Sequence, residues 1–393
     1  VVSLVLEWCS NIGKYSEIFE VPSMTESTFS IAIIGLGDIG RRHMNEALRS
    51  PHVRLAAVAD PSPAAETLAR AHNLSWFADW RQMLDATRVQ AVIVATPNTT
   101  HADIGVQCLA RGLPTLMEKP LADTLEAGTL LCQAARDARV PLLVGHHRRC
   151  NPIARRAREL VQGGALGRAV SATVMSTWYK PEGYFALDWH RKAGAGPVLI
   201  NLIHDIDLLR FVWGSVAGEI TEVQANASSA VRGLEVEDTA AVLLRFANGA
   251  LATMNVSDTA VAPWNWDLAT GESAHFPQQA VDAFYLSGTE GAITLPRLHQ
   301  WRYGTSNKSW HEPLTQERTA VHVENPYAEQ LRHLRFVAEG REEALCSGEE
   351  GLRTLQATLA VHAAAQSAAV VHLAAQSAAV VHLAAQSGGV VAL

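Results

Sequence analysis

The chain has 393 residues, 48% hydrophobic and 18% charged, which is too long for one ordinary core and too apolar for disorder. A formal net charge of -7 offers no basic face, so neither nucleic acid nor a membrane is expected as a partner. The five cysteines, Cys9, Cys108, Cys132, Cys150 and Cys346, are odd in number and free of CxxC spacing, which reads as reduced cytoplasmic thiols.

In chain order, residues 1–6 are apolar but are followed by Glu7, with no basic residue before them and no small-residue cleavage site after them. They do not read as a signal peptide. Met24 lies just before the first convincing strand, and residues 1–28 are expected to be an extension outside the fold.

From residue 29 the texture becomes regular. Apolar strands are predicted over 31–34, 55–59, 91–95, 114–117 and 142–144, with helices over 39–50, 64–72, 80–86, 101–111 and 124–138. Such alternation predicts a doubly wound α/β domain, a parallel sheet covered on both faces, over 29–147. After Cys150 a helix over 152–162 leads into longer strands at 168–177, 220–227, 239–246 and 250–257. Asn248-Gly249 between the last two is a hairpin signal. Residues 148–360 are therefore expected to form an α+β substrate domain with a mainly antiparallel sheet.

The first strand runs into Gly35-Leu36-Gly37-Asp38-Ile39-Gly40. Gly35 permits a tight turn, Gly37 lets the backbone approach a pyrophosphate, and Gly40 allows close strand–helix packing. The following helix presents free N–H groups to phosphate. Asp60 ends the second strand twenty residues after Gly40, placed to accept ribose hydroxyls. It would repel a 2′-phosphate, so NAD is expected; Arg41 and Arg42 keep NADP open.

Thr96-Pro97-Asn98 with His101, and Glu118-Lys119-Pro120, follow two further strands. In such a sheet ligands bind beyond the carboxyl ends of the strands, so both clusters are expected beside the cofactor. Near a nicotinamide, Lys119 would have a lowered pKa and could donate to a substrate oxygen. The Lys119–Pro120 peptide is expected to be cis.

A helix led by Gly194-Ala195-Gly196-Pro197 carries Asn201, His204 and Asp207 at three-residue spacings, hence on one face. With the GxGxxG, TPN and EKP segments, this HxxD-ended helix resembles the Gfo/Idh/MocA family, the glucose–fructose oxidoreductase and inositol dehydrogenase group. The resemblance covers roughly residues 29–360. It implies a Rossmann domain, an open antiparallel sheet used to form a homodimer or homotetramer, and sugar or cyclic polyol substrates. Many family members carry an Asp four residues before the His; that position is Ile200 here, and Asn201 is the nearest polar substitute. Asn cannot carry negative charge. His204 is then the expected general base, with Lys119 polarising the same oxygen. Arg149 and Asn151, in a hinge like the family's, are expected to contact substrate together with Trp189, Arg191 and Asp207. Trp178-Tyr179 and Trp264-Asn265-Trp266 could wall the pocket or form an interface. Apart from His146-His147, no histidine stands at ligand spacing, and no metal is expected.

Three functions fit: an NAD-dependent sugar, polyol or cyclitol dehydrogenase; a hydrolase or lyase that cycles a tightly held NAD; and a non-catalytic nicotinamide sensor. Loss of the family Asp favours the last, and retention of Lys119 and His204 opposes it.

Residues 361–393 repeat a decapeptide, VHAAAQSAAV, VHLAAQSAAV, VHLAAQSGGV, then VAL. At about 100° per residue, successive copies rotate by roughly 80°, so no constant apolar stripe forms and a coiled coil is disfavoured. Weakly apolar alanines with His, Gln and Ser make a poor membrane span. A tandem duplication of one helical segment explains the tail, and residues beyond about Ser367 are expected to be dispensable.

Overall fold

The computed structural model describes residues 29–373, apart from 193, 274, 306 and 323, together with 391–392. The expected extension over 1–28 and most of the repeats lie outside the described residues.

Six strands, β1 (Ser30–Ile34), β2 (Arg54–Ala59), β3 (Ser75–Phe77), β4 (Ala91–Val94), β5 (Thr115–Met117) and β6 (Leu142–Val144), form a wholly parallel sheet in the order β3-β2-β1-β4-β5-β6. β1 and β4 are buried along their whole length, as strands covered on both faces must be. Connecting helices are α1 (Asp38–Arg49), α2 (Pro63–Ala71), α3 (Trp80–Ala86), α4 (His101–Ala110) and α5 (Leu125–Ala138). The unexpected strand is β3. It has only three residues, none fully buried, and lies at the sheet edge, so it leaves no apolar run to read.

The chain continues through α6 (Pro152–Gln162), β7 (Ala169–Thr177) and a π-helical turn (Val198–Leu202) into α7 (Ile203–Ala217). Strands β8 (Ile220–Ser228), β9 (Thr239–Phe246) and β10 (Leu251–Ser257) follow, then α8 (Trp266–Thr270). Next come β11 (Phe284–Gly288), β12 (Ala292–Leu295), β13 (His299–Tyr303) and β14 (Leu314–Arg318). Helices α9 (Pro326–Ala338) and α10 (Gly348–Ser367) precede two short strands, β15 (Val371–His372) and β16 (Val391–Ala392).

The second sheet has ten strands in the order β14-β13-β12-β11-β7-β10-β9-β8-β15-β16. Its pairings are antiparallel except β7 with β10 and β15 with β16. Asn248-Gly249 does form the β9–β10 hairpin, with Gly249 at φ +87°. One face packs against α6, α7 and α10 around Trp213, Phe246 and Phe284. Burial alternates along β7 and β10, leaving Val170 and Leu251 exposed.

The last two helices return to the first sheet. Leu331, Leu334 and Val337 of α9 join one of its cores, and Leu352 and Leu355 of α10 join the other. Further along α10, Val361 and Ala364 are fully buried in the core of the second sheet. The first repeat copy is thus drawn into the fold, and Val371 of the second is fully buried where β15 pairs with β8. Among the described residues no helix is long and apolar enough to cross a membrane.

Candidate active site between the two sheets

The glycine loop is shaped by close approach. Gly35 sits at φ +92°, and a Cβ there would lie 2.5 Å from the Ala95 carbonyl oxygen; one on Gly40 would lie 2.0 Å from the Gly35 oxygen. Gly37 has no neighbour within 4 Å of such an atom, so its face is open to a ligand. Gly37 also caps α1 without a side-chain acceptor, leaving the first N–H groups of the helix for an anion. Asp38 is solvent-exposed and paired with Arg41 at 2.6 Å, and Ile39 is half-buried beside it.

Asp60 closes this loop from β2. Its Oδ2 accepts the Leu36 N–H at 2.8 Å and its Oδ1 the Ser62 N–H at 2.9 Å. Trp76 of β3 donates its indole N–H to the Asp60 carbonyl at 3.0 Å, so the unforeseen strand fixes this residue. Arg42 lies over the Tyr327 ring, 4.1 Å from its centroid.

Thr96 and Asn98 are half-buried and Pro97 is exposed at the end of β4. His101 and Glu118 differ from expectation. His101 is 1% exposed, and its ring nitrogens meet the Thr96 and Pro120 carbonyl oxygens, both at 3.0 Å. It straps the TPN and EKP segments together, with no edge left for a nucleotide. The buried Glu118 carboxylate is held by His43 at 2.7 Å and by the Lys119 N–H at 3.1 Å, turning it into α1. The Lys119–Pro120 peptide is cis.

Lys119 crosses from the first sheet to the second. Its Nζ donates to the Ile200 carbonyl oxygen at 3.2 Å, within the π-helical turn. A neutral backbone oxygen therefore stands where the family resemblance places a carboxylate. Burial pushes the Lys119 ammonium down to about 8, with Glu118 opposing the shift. His204, one turn further on, is pushed well below the ordinary imidazole range by burial, then by Lys119 and Arg148. It is neutral at physiological pH and able to accept a proton. Its ring stands edge-on to His147 at 5.3 Å, and His147 stacks on Tyr327 at 4.4 Å.

Asn201 does not face His204 as its orienting partner. Its Oδ1 accepts from Lys180 Nζ at 2.8 Å, and both residues line a cavity of about 760 Å³. Trp178, Tyr179 and Phe276 form aromatic walls of that cavity, with Trp178 edge-on to Phe276 at 5.1 Å. Lys180 escaped the reading of the sequence, although Lys180-Pro181 after β7 repeats the Lys119-Pro120 pattern after β5.

All five expected substrate contacts are corrected or moved. Arg149 and Asp207 pair with each other through two hydrogen bonds of 2.8 and 2.7 Å, both residues almost wholly buried. Breaking such a pair costs about 3–5 kcal/mol, so its role is to hold the fold. Asn151 caps α6 and donates to Glu272 at 2.8 Å, likewise buried. Arg191 lines a separate, more polar cavity with Glu182 and Arg232. Trp189 is 55% exposed and leans on His190, and Trp266 belongs to the core. His146, Asp207 and Cys346 cluster at ligand distance, but the Arg149 guanidinium engages both Asp207 oxygens and opposes a cation there.

Comparison with known proteins identifies the family. Residues 29–146 match the family model described as oxidoreductase family, NAD-binding Rossmann fold, and residues 154–294 match the GFO/IDH/MocA C-terminal domain. The uncharacterized oxidoreductase YrbE of Bacillus subtilis is 27% identical over 347 residues, 86% of this chain and 93% of its own. The levoglucosan dehydrogenase of Pseudarthrobacter phenanthrenivorans is 26% identical, covering 68% of this chain and 73% of that protein. The WlbA dehydrogenase of Bordetella pertussis, crystallised with NADH and UDP-GlcNAcA, superposes with a TM-score of 0.71 at 22% identity, over 89% of this chain and 100% of that one.

Proposed function

The chain belongs to the Gfo/Idh/MocA family of NAD-binding oxidoreductases, and from that premise we propose that it interconverts a hydroxyl and a carbonyl on a sugar, polyol or cyclitol. The supporting observation is that Lys119, at the end of a first-sheet strand, donates to the Ile200 carbonyl one turn before His204 on α7, whose imidazole feels its charge.

The nucleotide has a fitting place. The open face of Gly37 and the uncapped start of α1 suit the pyrophosphate, and Asp60 suits the adenosine ribose. Thr96, Pro97 and Asn98 lie at the strand end where the nicotinamide half would run. NAD, when bound, supplies the hydride acceptor.

The chain's own residues manage the proton. In the oxidising direction neutral His204 takes the hydroxyl proton, while the Lys119 ammonium donates a hydrogen bond to the same oxygen. Burial first, and then the nearby Lys119 charge, keep His204 neutral before the step, so the base is in its proton-accepting form. In this account residues 29–147 carry the nucleotide, and residues 148–360 carry substrate and assembly. The exposed face of the ten-stranded sheet suits a homodimer or homotetramer, and the reduced cysteines suit a cytoplasmic setting.

A panel of sugars, inositols and sugar acids with NAD, read by the absorbance of the reduced nicotinamide, tests the proposal. Turnover of at least one member is expected. Nicotinamide binding without turnover on any member would overturn it.

A further inference from the structure

Lys180 is held as firmly as a catalytic group, yet the redox step leaves it unused. Its N–H donates to the Asp258 carbonyl at 2.8 Å, and its own carbonyl accepts from Arg232 at 2.7 Å. The residue is 6% exposed and its ammonium lies 4.7 Å from the centroid of the Tyr184 ring. Of its three N–H donors one goes to Asn201, and the nearest carboxylate oxygen, on Asp258, is 3.6 Å away. Asp258 is also bound by Arg232 at 3.3 Å, and Arg232 pairs with Glu182 at 2.9 Å as well.

The cavity makes this informative. Among its described lining residues Lys180 is the one that carries a full charge; the rest are aromatic, aliphatic or neutral polar. An ammonium with one donor left beyond Asn201 and Asp258, facing an otherwise uncharged space, is stabilised by an anion entering that space. Successive residues of one π-helical turn hold the two lysines, Ile200 for Lys119 and Asn201 for Lys180. Ile200 and Asn201 both line the cavity, so a molecule seated there reaches the turn that holds both lysines.

We propose that Lys180 binds a carboxylate on the substrate, which makes the substrate a sugar acid or other polyhydroxy carboxylate. This rests on the dehydrogenase reading for the reaction, but binding itself does not require turnover. A carboxylate is favoured over a phosphate by the donor set. Phosphate recognition draws on guanidinium forks, and those of Arg232 and Arg148 are committed to Asp258, Glu182, Asp205 and Asp267. One ammonium balances one charge.

The test is calorimetric titration of the NADH-loaded protein with matched pairs: glucuronate against glucose, galacturonate against galactose, and gluconate against glucitol, with glucose 6-phosphate alongside. At least one acid is expected to bind about tenfold or more tightly than its neutral partner, about 1.4 kcal/mol. Lys180→Met should abolish that preference with NADH affinity unchanged, and Lys180→Arg should keep part of it. Equal affinity within every pair, no binding of any acid, preference retained in Lys180→Met, or tighter binding of the phosphate would each overturn the assignment. Acids that bind with the expected preference but never reduce NAD would instead overturn the dehydrogenase reading alone. Turnover of neutral sugars without preference would do the reverse.

Discussion

Lys119 and Lys180 both precede proline just after a strand, the first half-buried and the second buried, and each is held by the same π-helical turn. Only the first was found from sequence, because it stands between Glu118 and Pro120 near a recognisable glycine loop. The buried pairing of Arg149 with Asp207 was illegible for a different reason: 58 positions separate the partners, and each alone looks like a polar residue near a site. The charge state of Lys119 carries a measurable consequence. Below about 8 the group is an ammonium that polarises the substrate oxygen, and above it the charge is lost. The alkaline limb of kcat/KM, which reports the free enzyme, should therefore fall with an apparent pKa of about 8. A flat profile up to the ordinary lysine value of 10.5 would contradict this. Asp60 has its own test. Fluorescence titration should show NAD binding at least about tenfold more tightly than NADP, since a carboxylate opposes an added phosphate. Asp60→Asn keeps an acceptor for the Leu36 N–H and should narrow the gap. Equal or better NADP affinity in the unaltered protein would point to Arg41 or Arg42.

At the level of elements, periodicity placed five of the six parallel strands and the β9–β10 hairpin, because an apolar run or a specific turn chemistry marks each of them. Strands β11 to β14 were missed. β14 is exposed throughout and β13 has no fully buried residue, so neither shows the alternation that a half-buried strand requires. The π-helical turn was also invisible, and it matters: it presents the Ile200 carbonyl to Lys119 and turns Asn201 to Lys180. The end of α10 shows how the duplicated sequence is accommodated. Its C-cap, Ala368, sits at φ +52°, the left-handed region that costs a residue with a Cβ roughly 1 kcal/mol. Ala368→Gly should raise the urea midpoint by an equivalent of about 1 kcal/mol. Deleting residues 367–386 joins Gln366 to Ser387, which puts Gly388 at that cap and Val391 where Val371 pairs with β8. The shortened protein should stay folded with its assembly intact; insolubility or a changed oligomeric state would show that the repeats are structural.

Across the whole molecule, α9 and α10 tie the two sheets together, which an assignment of 148–360 to one domain did not foresee. Arg149 reaches Asp207 on α7 and Glu350 on α10, and Arg210 of α7 reaches Glu350 and Thr354. That buried network sets the helix bearing His204 against the helix packed on the nucleotide sheet. It thereby helps set where α7, and His204 on it, stands relative to the first sheet. The central claim is that these two groups act on one substrate oxygen, and it is tested most directly by steady-state turnover of Lys119→Ala and His204→Ala on the best substrate of the panel, with NAD affinity measured in parallel. Each substitution should lower kcat by about 10²–10⁴-fold, with NAD binding unchanged in His204→Ala. Full turnover in His204→Ala would contradict the account.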